Sequence, residues 1–182
     1  MTEQGPSEVL GQTENTQPAL LTASVALWDL WPGAQEKVAM MAGHSLGEYS
    51  ALVCAGAMSF TDGVALVRKR GELMQAAVPN GQGTMAAVLG LDDETIARCC
   101  EQVAGEVSAA NYNAPGQVVI AGETDAVHAA IEACKAAGAK RAVPLDVSGP
   151  FHSRLMERAA DDFSEALSAI VLTLPEIPVY QN

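Results

Sequence analysis

Apolar positions along the first third of the chain recur at helical spacing and then switch to a continuous run. Leu20, Leu21, Ser24, Leu27, Trp28 and Trp31 fall on one stripe, which predicts a helix with the tryptophan pair in the core. Thr16 is the candidate N-cap, Pro18 lies in the first turn and Pro32-Gly33 stops the helix. Met1 to Asn15, ahead of it, is polar and rich in turn formers. Val38-Ala39-Met40-Met41 is uninterrupted and apolar, which suits a short buried strand. Glu48 to Ala55 continues without proline as a helix ended by Gly56. Ser59-Phe60-Thr61-Asp62 has the form of a capping box. It opens a helix to about Val78 with Val64, Val67, Gly71 and Met74 facing inward, and Pro79-Asn80-Gly81 closes it.

The pattern beyond that point is finer grained. Thr84 to Leu89, Glu106 to Asn111, Gln117 to Ala121 and Arg141 to Leu145 read as strands, with a turn at Asn113-Ala114-Pro115-Gly116. Helices fall between them, one capped by Asp92 or Asp93 and running through Val103, the other from Thr124 to Ala137-Gly138. The order β-α-β-β-α-β is that of a ferredoxin-like subdomain. Residues 80–147 are therefore expected to be inserted into a larger α/β unit made of 1–79 and 148–182. The return segment Ser148-Gly149-Pro150-Phe151-His152-Ser153 reads as a loop, followed by a helix from Arg154 to Ile170 and an extended end framed by Pro175 and Pro178.

Composition narrows the class of protein. Hydrophobic residues make up 49% of the 182, enough for a globular core. A net charge of −12 argues against nonspecific nucleic-acid binding, which needs a basic face. Cys54, Cys99, Cys100 and Cys134 lack metal-ligand spacing, and adjacent Cys99-Cys100 makes a poor disulfide. Reduced, mostly buried thiols in a cytoplasmic protein are expected. The sequence shows no signal peptide and no apolar run long enough to span a bilayer.

One stretch carries chemistry. Gly43-His44-Ser45-Leu46-Gly47 contains G-x-S-x-G between the apolar run and the following helix, the context of a nucleophile elbow. Side chains at Gly43 or Gly47 are expected to collide with neighbouring strand or helix. Ser45 Oγ is raised clear of the sheet, and the Leu46 N–H points to where an oxyanion would form. The competing reading is a tight turn whose serine caps a helix. A serine nucleophile needs a base. His44 adjoins Ser45 and points away from it, and His128 falls on a helix surface among alanines. His152, in the return loop, is the remaining candidate. Arg68, Lys69 and Arg70 form a cationic turn that normally marks a solvated face.

Several motifs then occur in order: Gly43-His44-Ser45-Leu46-Gly47-Glu48-Tyr49-Ser50-Ala51-Leu52, Arg70-Gly71-x-x-Met74-Gln75, Asn111-x-Asn113-x-Pro115-Gly116-Gln117 and Phe151-His152-Ser153-x-Leu155-Met156, together with Thr16-Gln17-Pro18-Ala19-Leu20. The chain resembles the malonyl-CoA:acyl-carrier-protein transacylases of bacterial fatty acid synthesis over essentially its whole length. The resemblance implies an α/β-hydrolase-like main subdomain with a parallel sheet, and ping-pong transfer of malonyl from coenzyme A through a Ser45 ester to the phosphopantetheine thiol of acyl carrier protein. It implies His152 as base, a Leu46 N–H in the oxyanion hole and Arg70 on the malonyl carboxylate, which suits a planar guanidinium. Met85 and Asn113 are implied as pocket lining. Phe151 resembles the bulky residue of malonyl-selective relatives. No metal or organic cofactor is implied, and malonyl-CoA enters as substrate.

Members of that family begin with a strand and a Gly-Gln-Gly-Ser-Gln loop that completes the oxyanion hole, and they continue with segments that finish the sheet. Neither stands within these residues, so the chain is expected to be the central part of the enzyme. The competing functions are a polyketide-type acyltransferase, a serine thioesterase or esterase in which water replaces the carrier thiol, and a non-catalytic fragment that binds carrier protein.

Overall fold

The computed structural model describes residues 5–79 and 81–181, so the expectations for Met1–Gln4, Asn80 and Asn182 lie outside the described residues. In chain order the elements are α1 (Ser7–Gly11), α2 (Thr13–Leu30), α3 (Ala34–Lys37), β1 (Met41–Ala42), α4 (Leu46–Cys54), α5 (Phe60–Ala76), β2 (Gly83–Leu89), α6 (Asp93–Glu101), β3 (Val107–Ala114), β4 (Gln117–Glu123), α7 (Thr124–Ala136), β5 (Arg141–Pro144), a 3-10 turn (Arg154–Met156), α8 (Glu157–Ser168) and β6 (Val179–Tyr180). The result is a mixed α/β fold with a small parallel sheet and a four-stranded antiparallel sheet. The described residues form two compact units, one running to Leu73 and resuming at Asp161, the other spanning Met74–Ala160. The return loop with His152 belongs to the second.

In the first unit α2 begins at Thr13, three residues before the expected cap. Thr16 lies inside the helix and its hydroxyl donates back to the Gln12 carbonyl at 3.0 Å. Pro18 is thereby internal, and its missing N–H leaves the Glu14 carbonyl without its helical donor. Arg68 Nη1 supplies one at 3.2 Å from a position 54 residues later. Ser59 supplies the N-cap half of the expected capping box, Asp62 N–H donating to Ser59 Oγ at 3.0 Å while that hydroxyl donates to Asp62 Oδ2 at 2.7 Å. Leu21, Leu46 and Val67 form the core of this unit, with Val25, Tyr49, Val53 and Val64 packed around them. Leu21 is fully buried, and its truncation to alanine costs about 2–5 kcal/mol.

Two further expectations fail in this unit. The apolar run is not a buried strand: β1 covers only Met41–Ala42, and Met40 is 55% exposed. β1 pairs in parallel with β6 and is contacted by α4, which leaves Met41 half-buried and Ala42 exposed. The tryptophans are not core either. Trp31 is 49% exposed and meets Trp28 edge to face at 6.1 Å between centroids.

In the second unit the strand order is β3-β4-β2-β5, with every pairing antiparallel. β2 and β4 are central, and period-2 alternation divides their side chains between two faces. Ala86, Val88, Val118 and Ile120 join residues of α6 and α7 in one core, while Met85, Val119 and Ala121 form a separate cluster. Asp92 caps α6 by accepting from Thr95 N–H at 2.8 Å. The expected turn at 113–116 shortens to Pro115-Gly116, because β3 continues to Ala114 and Gly116 supplies the positive φ of 72°. Cys99, Cys100 and Cys134 are buried free thiols in the larger core. Burial pushes Cys100 up to about 11 and Cys134 up to about 12, so both stay protonated at neutral pH. The helix expected from Arg154 opens instead with the 3-10 turn and ends as α8 at Ser168.

Candidate active site

Ser45 joins β1 to α4 with φ 53° and ψ −111°, a conformation that L-residues rarely adopt. The reason lies two residues earlier. A Cβ on Gly43 would stand 1.9 Å from the Gly47 carbonyl carbon and 2.2 Å from the Glu48 nitrogen. Strand and helix backbones cross there at a distance only glycine permits. The turn is closed by Gly47 N–H donating to the His44 carbonyl at 2.9 Å and Glu48 N–H donating to the Ser45 carbonyl at 3.3 Å. Among the described residues the Leu46 N–H donates to no backbone carbonyl, and it lies in the first turn of α4 beside Ser45. The expectation for Gly47 fails: a Cβ there meets nothing within 4 Å, because Gly43 alone carries the crossing.

The cationic turn divides in a way that spacing did not indicate. Lys69 is exposed, as a solvated face requires. Arg68 is tied to α2, bonding Asn15 Oδ1 at 2.6 Å in addition to the Glu14 carbonyl. Arg70 points at the elbow. Its Nη2 donates to Ser45 Oγ at 3.0 Å and its Nη1 to Gln17 Oε1 at 2.7 Å. Its Cζ lies 5.6 Å from the centroid of the Tyr49 ring. Burial lowers the Arg70 pKa from its ordinary value, opposed by Tyr49 and Glu48, and the guanidinium stays charged. Burial likewise raises the Tyr49 pKa, opposed by the Arg70 charge, which keeps the phenol neutral.

His152 is held in a different manner. Ser153 N–H donates to the Pro150 carbonyl at 3.3 Å, closing a four-residue turn in which His152 adopts φ 62°. Ser153 Oγ donates to the same carbonyl at 2.7 Å and is buried. Pro150 is fully buried against Gly83, where a Cβ would stand 2.4 Å from the proline Cγ. Phe151 packs on the cluster of Met85, Val119 and Ala121. The turn is thus seated on β2 and β4 and presents an exposed His152. His44 and His128 are also exposed. Met85 is 4% exposed and packs in that cluster, and Asn113 lies exposed near the end of β3.

Ser45 and Arg70 are therefore brought together within the first unit. The residues that reading the sequence missed are Gln17 and Tyr49, the partners of Arg70. Gln17 had one available signal: an amide inside a helix stripe that also carries Leu21 is buried, and a buried amide needs partners for both its ends.

The fold and this turn define the class, a mixed α/β protein with a G-x-S-x-G serine raised on a strand-to-helix turn. Comparison with known proteins is more specific. Residues 2–182 match the family model described as acyl transferase domain, and the chain belongs to that family. It is 58% identical over 185 residues to the malonyl CoA-acyl carrier protein transacylase of Salmonella typhimurium, covering 100% of this chain and 60% of the relative. A solved acyl carrier protein S-malonyltransferase from Vibrio cholerae matches with a TM-score of 0.92 at 54% identity, over 98% of this chain and 60% of that one. A malonyl-transacylase solved in complex with a type II polyketide acyl carrier protein matches with a TM-score of 0.93 at 54% identity, over 98% of this chain and 59% of that one. The chain spans about three fifths of the length of these relatives.

Proposed function

We propose that the chain carries the core of a malonyl-CoA:acyl carrier protein S-malonyltransferase of fatty acid biosynthesis, acting in the cytoplasm. The observation that carries this reading is the Arg70 guanidinium held 3.0 Å from Ser45 Oγ. In a malonyl thioester one methylene separates the carboxylate from the reacting carbonyl. A fixed planar cation beside the nucleophile is therefore placed for the carboxylate while the carbonyl lies over Oγ. An acetyl or fatty acyl thioester has no group to meet it.

The chemistry runs in two half-reactions. His152 accepts the Ser45 hydroxyl proton as Oγ bonds to the thioester carbon. The oxyanion receives the Leu46 N–H, the C–S bond breaks, and coenzyme A leaves with the proton that His152 returns. The carrier thiol then gives its proton to His152 and attacks the ester carbon, and Ser45 leaves with that proton restored. Met85 and Asn113 line the acyl site. The finer architecture that supports this reading is an α/β-hydrolase-like main subdomain of 1–79 and 148–182 with a ferredoxin-like insertion at 80–147. The β-α-β-β-α-β order and the strand order of the four-stranded sheet support the insertion, and the elbow supports the main subdomain. The partners are malonyl-CoA and acyl carrier protein, with neither nucleic acid nor membrane involved.

Intact-mass spectrometry of the chain mixed with malonyl-CoA tests the reading. A malonyl adduct is expected, absent in Ser45→Ala. No adduct on a chain that unfolds cooperatively would sink the claim that these residues assemble a working nucleophile. Arg70→Ala is expected to cut malonyl labelling while sparing acetyl labelling from acetyl-CoA. Equal loss of both would remove Arg70 from carboxylate binding.

A further inference from the structure

The guanidinium that meets Ser45 is itself held by a residue with no role in the scheme above. Gln17 is 4% exposed, near the start of α2. Its Oε1 accepts from Arg70 Nη1 at 2.7 Å and its Nε2 donates to Thr13 Oγ1 at 2.9 Å. Thr13 is buried as well, at 8% exposure. The orientation of the amide follows from chemistry. Arginine has only donors, so the amide oxygen must face it, and the Thr13 hydroxyl then accepts from the amide nitrogen.

The backbone brings the groups together by one close approach. A Cβ on Gly71 would stand 2.5 Å from Glu14 Cα and 2.9 Å from the Thr13 carbonyl oxygen. Glycine at 71 lets α5 lie directly on the first turn of α2, and the residue before it reaches Gln17. Charge explains the choice of amide. A neutral acceptor orients the guanidinium without adding a negative charge to it, whereas a carboxylate in that place would form an ion pair and compete with an incoming acid. The Tyr49 ring, 5.6 Å from Cζ, orients the cation without neutralising it in the same way.

We infer that Gln17, oriented by Thr13, is a positioning residue that locks Arg70 beside Ser45 and so sets the preference for acyl groups bearing a terminal carboxylate. The inference rests on Arg70 receiving that carboxylate, as proposed above.

Two measurements on the full chain separate the lock from the function. The first is the nitrogen-15 side-chain spectrum of arginine, with Arg70 assigned from the signal missing in Arg70→Lys. Hindered rotation about the Arg70 Cζ–Nη bonds is expected in the unsubstituted chain and is lost in Gln17→Leu. Thr13→Val, which keeps side-chain volume, is expected to weaken it and serves where Gln17→Leu does not fold. Free rotation in the unsubstituted chain, or rotation unchanged in the variants that fold, overturns the inference. The second is malonyl against acetyl labelling of Ser45 in Gln17→Glu, which keeps the shape of the side chain and adds a charge. The malonyl rate is expected to fall about tenfold relative to acetyl, the order of loss tied to one hydrogen bond to a charged group. An unchanged ratio overturns the inference. A chain with hindered Arg70 rotation and no malonyl labelling at all would keep the lock and sink the proposed function instead.

Discussion

Two turns present the two candidate catalytic side chains, and both hold a non-glycine residue at positive φ: Ser45 at 53° and His152 at 62°. Such conformations cost of the order of 1–3 kcal/mol each and persist only when the surroundings over-determine them. The surroundings differ. At Ser45 the constraint is backbone on backbone, where Gly43 lets the strand pass within contact of Gly47 and two amides close the turn. At His152 the constraint is side chains, with Pro150 seated on Gly83, Phe151 in an apolar cluster and Ser153 bonded to the Pro150 carbonyl. A backbone crossing tolerates no substitution at its one essential atom. A side-chain seat spreads its cost over several residues and weakens by degrees.

That contrast sets the order of expected effects. Gly43→Ala is the most severe, because a Cβ 1.9 Å from backbone has no rotamer to relieve it. A loss of about 4 kcal/mol or more is expected in urea denaturation, together with loss of Ser45 labelling, and a mild loss would show that the crossing is not the constraint. Phe151→Ala removes one anchor of the other turn. About 2–3 kcal/mol is expected, below the full value for a buried phenylalanine because Phe151 keeps some exposure. Ser153→Ala deletes one hydrogen bond and leaves the backbone bond of the turn, so about 1 kcal/mol is expected by the same measurement. Gly47→Ala is the smallest. It meets open space at the start of a helix, where alanine is the better former, and a change within about 0.5 kcal/mol or a slight gain is expected. A loss as large as that of Gly43→Ala would restore the expectation that both glycines are sterically required.

Much of the fold was legible. The β-α-β-β-α-β order followed from the hydrophobic pattern, with α7 and β5 within a residue of where it put them, because central strands and amphipathic helices write their periods directly into the sequence. The elbow was legible because its glycine, serine and flanking elements are local in the chain. Two of the failures share one cause. Val38 to Met41 is apolar yet largely exposed, and Trp31 is apolar yet half exposed, since apolarity records a need for cover and does not say what supplies it. Thr16 resembled a cap because the internal Pro18 marks a helix start, and the acceptor it frees is served by Arg68 from another helix.

The sequence by itself determined where chain direction changes, which residue types stand at each turn, and that Ser45 stands between Gly43 and Gly47 where a strand gives way to a helix. Those are properties of neighbours, and neighbours interact whatever the rest of the chain does. Only the tertiary structure decided which of three consecutive cations reaches Ser45. Arg68, Lys69 and Arg70 are equivalent in composition, and their helical phase sends one to the Glu14 carbonyl, one to solvent and one to Ser45. The contact of Arg70 with Gln17 joins residues 53 apart, and it exists because two helices meet at Gly71 with no side chain between them.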